Sequence, residues 1–137
     1  MNDLSTTTTD EVAILKLLAR LARTTDIGSI EEYCQCLTAD VVLELPGAPT
    51  TEGIGQVRSA TEAGRAARQV GPPSNTMHVL GGTELTVSGD SAEGVTAFTF
   101  LRLRDTPPVL HLAGRYYDSF RRTSEGWRLA RRRIAVG

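Results

Sequence analysis

Few groups in this chain are suited to moving protons near neutral pH. His78 and His111 are its two imidazoles, and imidazole is the side chain whose ordinary titration range spans working pH. Asp26 is the carboxylate of most interest beside His78. A carboxylate that accepts one imidazole N–H fixes the tautomer and leaves the other ring nitrogen free as a general base. The imidazolium then returns its proton to a leaving hydroxyl or to another carbon. Each residue also has a plainer explanation. A strand histidine is often satisfied by a neighbour, and an aspartate two residues before Gly28 is an ordinary helix-end residue. The pattern alone leaves both readings open.

Positioning such a pair needs a helix end and a strand. Thr8-Thr9-Asp10-Glu11 has the form of a capping box, with a hydroxyl at the cap and a carboxylate three residues on. Met1 to Thr9 is accordingly expected to be a flexible segment ahead of one domain over residues 10–137. Val12, Leu15, Leu18, Ala19 and Ala22 recur at helical spacing, and Ile14, Leu17 and Leu21 widen the apolar face, which predicts a helix covered on most sides. Asp26-Ile27-Gly28 ends it. Ser29 to Glu32 repeats the capping box for a shorter helix carrying Ile30, Tyr33, Cys34 and Leu37. Val41 to Leu45 reads as a strand stopped by Pro46-Gly47, and Gly53 to Arg68 as a weaker helix.

Beyond Gly71-Pro72-Pro73 the pattern changes to strands. Thr76 to Val87 carries Gly81-Gly82, which predicts a bulge. Gly94 to Arg104, Val109 to Arg122 and Trp127 to Val136 follow, each after a short turn. Four such strands form an antiparallel meander of strong curvature. Helices segregated to one side of it give an α+β fold: a cone-shaped roll of antiparallel sheet closed by three helices around an apolar pocket.

Tyr116 and Asp118 share a face of one strand by the period of two. Tyr116 is expected as a pocket wall. Asp118 would be a hydrogen-bond donor if protonated in an apolar cavity, and otherwise the partner of a nearby arginine, which is the more ordinary outcome. His111 has the opposite alternation and should face away from the pocket unless a bulge intervenes. Arg121, Arg122, Arg128, Arg131, Arg132 and Arg133 alternate faces, so they form no continuous basic stripe, and they read as outward partners of acidic residues. With a net charge of −1 and no aromatic platform, nucleic-acid binding is not expected. The sequence shows no secretory signal, membrane span, phosphate-cradling glycine motif, nucleophile elbow or metal-ligand cluster. Cys34 and Cys36 can neither bridge nor share a metal on a helix, which suits reduced thiols and a cytoplasmic location.

The order of elements resembles the SnoaL-like branch of the nuclear-transport-factor-2-like superfamily. The residues that carry the resemblance are Asp26-x-Gly28-Ser29, Thr38-Ala39-Asp40-Val41 and Gly53-x-Gly55, then Gly114-Arg115-Tyr116-Tyr117-Asp118 and Gly126-Trp127-Arg128-Leu129. It spans Asp10 to Ile134. Relatives include ketosteroid isomerase, scytalone dehydratase, bile-acid dehydratase, polyketide cyclases, limonene epoxide hydrolase and non-catalytic binding proteins, so the fold does not fix the function.

In scytalone-dehydratase-like enzymes an aspartate and a histidine at the positions of Asp26 and His78 make a pair inside the cone. The resemblance thus implies Asp26 and His78 as catalytic residues, and Tyr116, Asp118, Leu45, Leu21 and Phe100 as substrate contacts. Several family groups are missing. Leu21 stands where ketosteroid isomerase has its oxyanion-binding tyrosine, and Leu45 where it has its base. Thr25 and Leu45 stand where scytalone dehydratase has tyrosines, and its second histidine has no counterpart between Phe100 and Arg104. The expectation is a cofactor-free dehydratase, isomerase or cyclase acting on a hydrophobic cyclic or polyketide-like molecule, in a dimer or trimer. A non-catalytic binding or subunit-interaction module and an epoxide-opening hydrolase are the competing classes.

Overall fold

A computed structural model of the chain describes residues 4–137. The elements run α1 (Leu4–Asp26), α2 (Ile30–Cys34), β1 (Leu37–Glu44), β2 (Thr51–Glu52), α3 (Ile54–Ala66), β3 (Thr76–Ser88), β4 (Ser91–Arg102), β5 (Val109–Thr123) and β6 (Gly126–Val136). They form an α+β roll in which three helices lie against one curved, unclosed sheet of six strands, ordered β2-β1-β6-β5-β4-β3.

The capping box at Ser29 is present in full. Its hydroxyl accepts from the Glu32 amide, and the Glu32 carboxylate accepts from the Ser29 amide, both at 3.0 Å. The similar motif at Thr8 is not a cap, because α1 already runs from Leu4. The Thr9 hydroxyl turns back to the Ser5 carbonyl at 2.9 Å, the i−4 bond of a threonine inside a helix and not at its cap. Thus much of the stretch expected to be flexible is helical, and only residues 1–3 lie outside the described ones. The breadth expected of the apolar face of α1 also needs correction. Ile14, Leu17, Leu18 and Leu21 are buried, whereas Val12 and Leu15 are 44% and 46% exposed. The helix lies on the sheet by one face, as its 3.6-residue period allows.

The meander β3 to β6 is antiparallel throughout, with the expected bulge where the β3–β4 register shifts between Leu80 and Thr83. The sheet as a whole is not antiparallel. β1 pairs with β6 in parallel, and the two-residue β2, unmarked in the sequence, extends the edge beyond it. β1 leads out of the helices and lies beside the last strand, a long-range pairing that no local pattern announces.

The main core joins Ile14, Leu18 and Leu21 of α1 to Val41, Phe120, Trp127 and Leu129 of the sheet. Asp10 staples that contact. Its two oxygens accept a fork of hydrogen bonds from Arg122 at 2.9 and 2.8 Å, and one also accepts from the Trp127 indole at 3.1 Å. Arg122 lies over the Trp127 ring, 4.6 Å from its centroid.

The hydrogen bonds from Arg122 and then Trp127 hold the Asp10 carboxyl below its ordinary value of 3.8. A carboxylate with a depressed folded-state pKa stabilises the fold above its unfolded value, and that contribution is lost as pH falls through the folded one. Stability is therefore expected to drop with acid below about pH 4. Asp10→Asn should start less stable at neutral pH and show a shallower acid loss, read by thermal melts from about pH 6 to 3. A wild-type slope in that variant would contradict the assignment. Among the described residues, no helix is long and apolar enough to cross a membrane.

Candidate active site

Between the helices and the concave face of the sheet lies a cavity of about 1210 Å³, lined by Leu18 and Leu21 of α1, Val57 of α3, Leu80 of β3 and Phe98 and Phe100 of β4, among others. A mainly apolar hollow with a few polar groups is the usual form of a small-molecule site. A second depression, of about 670 Å³, lies among charged residues including Glu44, Glu84, Arg131 and Arg133. Arg131 is bound there to Glu44 at 2.8 Å, and Arg133 covers the Tyr117 ring at 4.2 Å.

Asp26 ends α1 and reaches the start of β3. One carboxylate oxygen lies 2.8 Å from Nδ1 of His78, and the other accepts the His78 backbone N–H at 2.6 Å. The Thr76 hydroxyl donates to Asp26 at 3.4 Å while accepting from the Gly71 amide at 3.1 Å. The end of α1 is itself held. Arg65 of α3 donates to the carbonyls of Gly28 at 2.7 Å and Thr24 at 3.0 Å, near the negative end of the helix dipole. Gly28 is required there, because a Cβ would come within 2.8 Å of the Thr24 Cα. The Asp-x-Gly spacing thus has a local cause: the chain must turn tightly so that Asp26 can face β3.

With Nδ1 occupied, Nε2 is the ring nitrogen of His78 that has no hydrogen-bond partner among the described residues. The imidazole lines the cavity, 4.5 Å from the Phe100 ring centroid and 6.5 Å from that of Phe98. The pair can orient an imidazole and exchange a proton with a molecule held against these rings.

The other expected contacts divide. Leu21, Leu45, Phe100 and Tyr116 line the cavity, with Leu45 half-exposed at its edge. Asp118 does not. Its side chain is 0% exposed and accepts two hydrogen bonds from Arg132, at 2.8 and 2.9 Å. A carboxylate gripped by a guanidinium fork is an acceptor, so Asp118 is here the partner of an arginine and does not line the cavity.

Arg132 is the correction to the outward-facing reading of the basic run. It sits opposite Asp118 in the β5–β6 register, lines the cavity and keeps 13% of its side-chain surface. His111 is the second correction. The β4–β5 register passes from Phe100↔Leu112 to Leu101↔Leu110, leaving His111 as an extra residue. That bulge undoes the alternation, and His111 lines the cavity with its ring 5.8 Å from that of Phe100. Tyr33, whose spacing reads only as part of a helical stripe, also reaches the cavity wall. Among the described residues, no group of His, Cys, Asp and Glu is placed to hold a metal ion.

Helices closing a curved sheet over such a hollow define the nuclear-transport-factor-2-like class of folds. Within it the chain belongs to the SnoaL-like domain family, whose sequence profile matches residues 6–133. A variant of the Mycobacterium tuberculosis protein Rv3472, described as of unknown function, superposes with a TM-score of 0.84 at 22% identity, over 100% of this chain and 77% of that one. An NTF2-like protein with a cystatin-like fold from Novosphingobium aromaticivorans gives 0.79 at 25% identity, over 99% and 91%. A candidate scytalone dehydratase from the same species gives 0.82 at 16% identity, over 98% and 89%. No curated protein matches the chain in sequence.

Proposed function

We propose that the chain is a cofactor-independent enzyme of the lyase or isomerase type, acting on a hydrophobic cyclic or polyketide-like molecule by general acid–base catalysis. The observation that carries this reading is the 2.8 Å contact between His78 Nδ1 and Asp26 in the wall of an apolar cavity. His78 Nε2 would take a proton from a carbon next to a carbonyl, and the C–H electron pair would move onto the carbonyl oxygen. The resulting enolate would then expel a β-hydroxyl as water, using the proton held by the imidazolium, or accept that proton at another carbon. Asp26 would be a positioning residue that orients the ring and supports its charged form. The apolar walls would keep water from competing.

One observation favours a second reading. Asp26 also accepts the His78 backbone N–H at 2.6 Å, so the pair fastens α1 to β3 whatever its chemistry. On that reading the chain binds a small molecule without converting it. Incubating the purified chain with apolar cyclic ketones and β-hydroxy ketones in D₂O, followed by mass spectrometry, separates the two. Exchange or dehydration of at least one compound is expected. Tight binding of several with neither outcome would establish the binding module instead.

A further inference from the structure

Thr25 of α1 and Leu45, just beyond β1, bring no phenol to the pocket, yet phenols reach it from two other elements. Tyr33 comes from α2 and Tyr116 from β5, and neither hydroxyl has a hydrogen-bond partner among the described residues. Tyr116 is only 4% exposed, and its oxygen is not among the buried side-chain atoms left without a partner, so what access it keeps is to the cavity it lines. A polar atom at such a place has nothing to bond except what enters the cavity.

Arg132 stands beside Tyr116, and its charge also reaches Tyr33. Its guanidinium carbon lies 3.7 Å from the Tyr116 ring centroid, and that ring is stacked on Phe98 at 4.2 Å. Nε and Nη2 serve Asp118, and Nη1 has no hydrogen-bond partner among the described residues. Burial pushes the Tyr116 phenol up to about 12 and also raises that of Tyr33, with Arg132 partly offsetting both. Both therefore stay neutral and able to donate at working pH.

We infer that the Tyr33 and Tyr116 hydroxyls, with Nη1 of Arg132, form a binding site for a substrate oxygen that carries or develops negative charge. The ligand class is an apolar molecule bearing a carbonyl, enol or phenol oxygen. His78 lies across Phe98 from Tyr116, since Phe98 neighbours both rings. An oxygen bound at the phenols leaves the hydrocarbon frame reaching toward His78. This inference rests on the proposed reaction for its purpose, because the enolate formed by proton removal is the species that three donors would stabilise. Its existence as a binding site can be tested apart from turnover.

The probe is 4-nitrophenol, whose ionised form is read by absorbance, with 4-nitroanisole as the control that cannot ionise. An apolar cavity without donors disfavours the phenolate, whereas donors beside a cation favour it. Bound 4-nitrophenol is expected to ionise at lower pH than the free compound. Tyr116→Phe and Tyr33→Phe should each weaken phenolate binding at least about tenfold, the scale of a hydrogen bond to a charged group. Both variants should bind 4-nitroanisole as the wild type does, which shows that the cavity is intact.

His78→Ala should leave the bound probe ionised. If ionisation is lost in His78→Ala and unchanged in both phenylalanine variants, the phenolate pairs with His78, and the oxygen site is overturned while the acid–base reading survives. No binding of 4-nitrophenol by the wild type, or a bound probe less ionised than the free one, also overturns it. Phenylalanine variants that lose phenolate binding in a protein shown not to turn over any ketone would keep the oxygen site and remove the reaction.

Discussion

His78→Gln is expected to lower turnover by at least about a hundredfold, and His78→Ala by as much or more, the range typical of losing a positioned general base. Glutamine keeps a polar side chain of similar reach but cannot take up a proton, so it separates chemistry from packing. The His78 backbone N–H that bonds Asp26 survives both substitutions, and the attachment of α1 to β3 should survive with it. Asp26→Asn should also cost a large factor in rate, because its single amide oxygen cannot accept from both the imidazole and the His78 backbone N–H, and an NH2 turned to Nδ1 selects the wrong tautomer. A merely structural aspartate would lower the melting temperature and leave kcat of the folded variant near the wild-type value. Undiminished turnover in His78→Gln would remove the imidazole from the mechanism.

The second large effect concerns the ion pair behind the pocket wall. Asp118→Leu leaves the Arg132 guanidinium buried without its carboxylate, and breaking such a pair from one side typically destabilises a fold by about 3–5 kcal/mol. Asp118 is fully buried and Arg132 nearly so, with both forks of the pair satisfied. Replacing both partners in Asp118→Leu/Arg132→Met removes the two charges together, and most of the lost stability should return. Urea unfolding of the wild type, the two single variants and the double variant reads this directly as a cycle. If Asp118→Leu cost less than about 1 kcal/mol, Arg132 would have to reach solvent when unpaired. The cycle also bears on the pocket. A double variant that is stable but has lost affinity for phenolate would show that the pair is kept for the cation it presents to the cavity.

Much of the architecture is written locally. The Ser29 capping box, the turns of the meander and the bulge at Gly81-Gly82 each depend on a few adjacent residues, whose backbone preferences decide the outcome almost alone. One local signal failed: α1 runs through the segment at Thr8 that reads as its cap, with the Thr9 hydroxyl bonded back to the Ser5 carbonyl. The site is less legible. Asp26 and His78 stand out as a carboxylate and an imidazole, but their pairing was suggested by family resemblance and not by spacing.

Residue types, periodicity and turn chemistry thus determined the helices, the meander and the apolar face they share, because those depend on neighbours along the chain. Only the tertiary structure decided which side chains enter the hollow. A bulge brought the exposed His111 to the cavity's edge, a parallel pairing set β1 beside β6, and Arg132 shares the strand face of Ile134, where it meets Asp118 and lines the cavity. Tyr33 carries no mark of its position in the sequence, since a tyrosine in a helical stripe looks the same whether it meets core or cavity. The physical reason is one of range. Backbone preference acts over a few residues, whereas a cavity wall is assembled from elements whose pairing energies appear only after they meet.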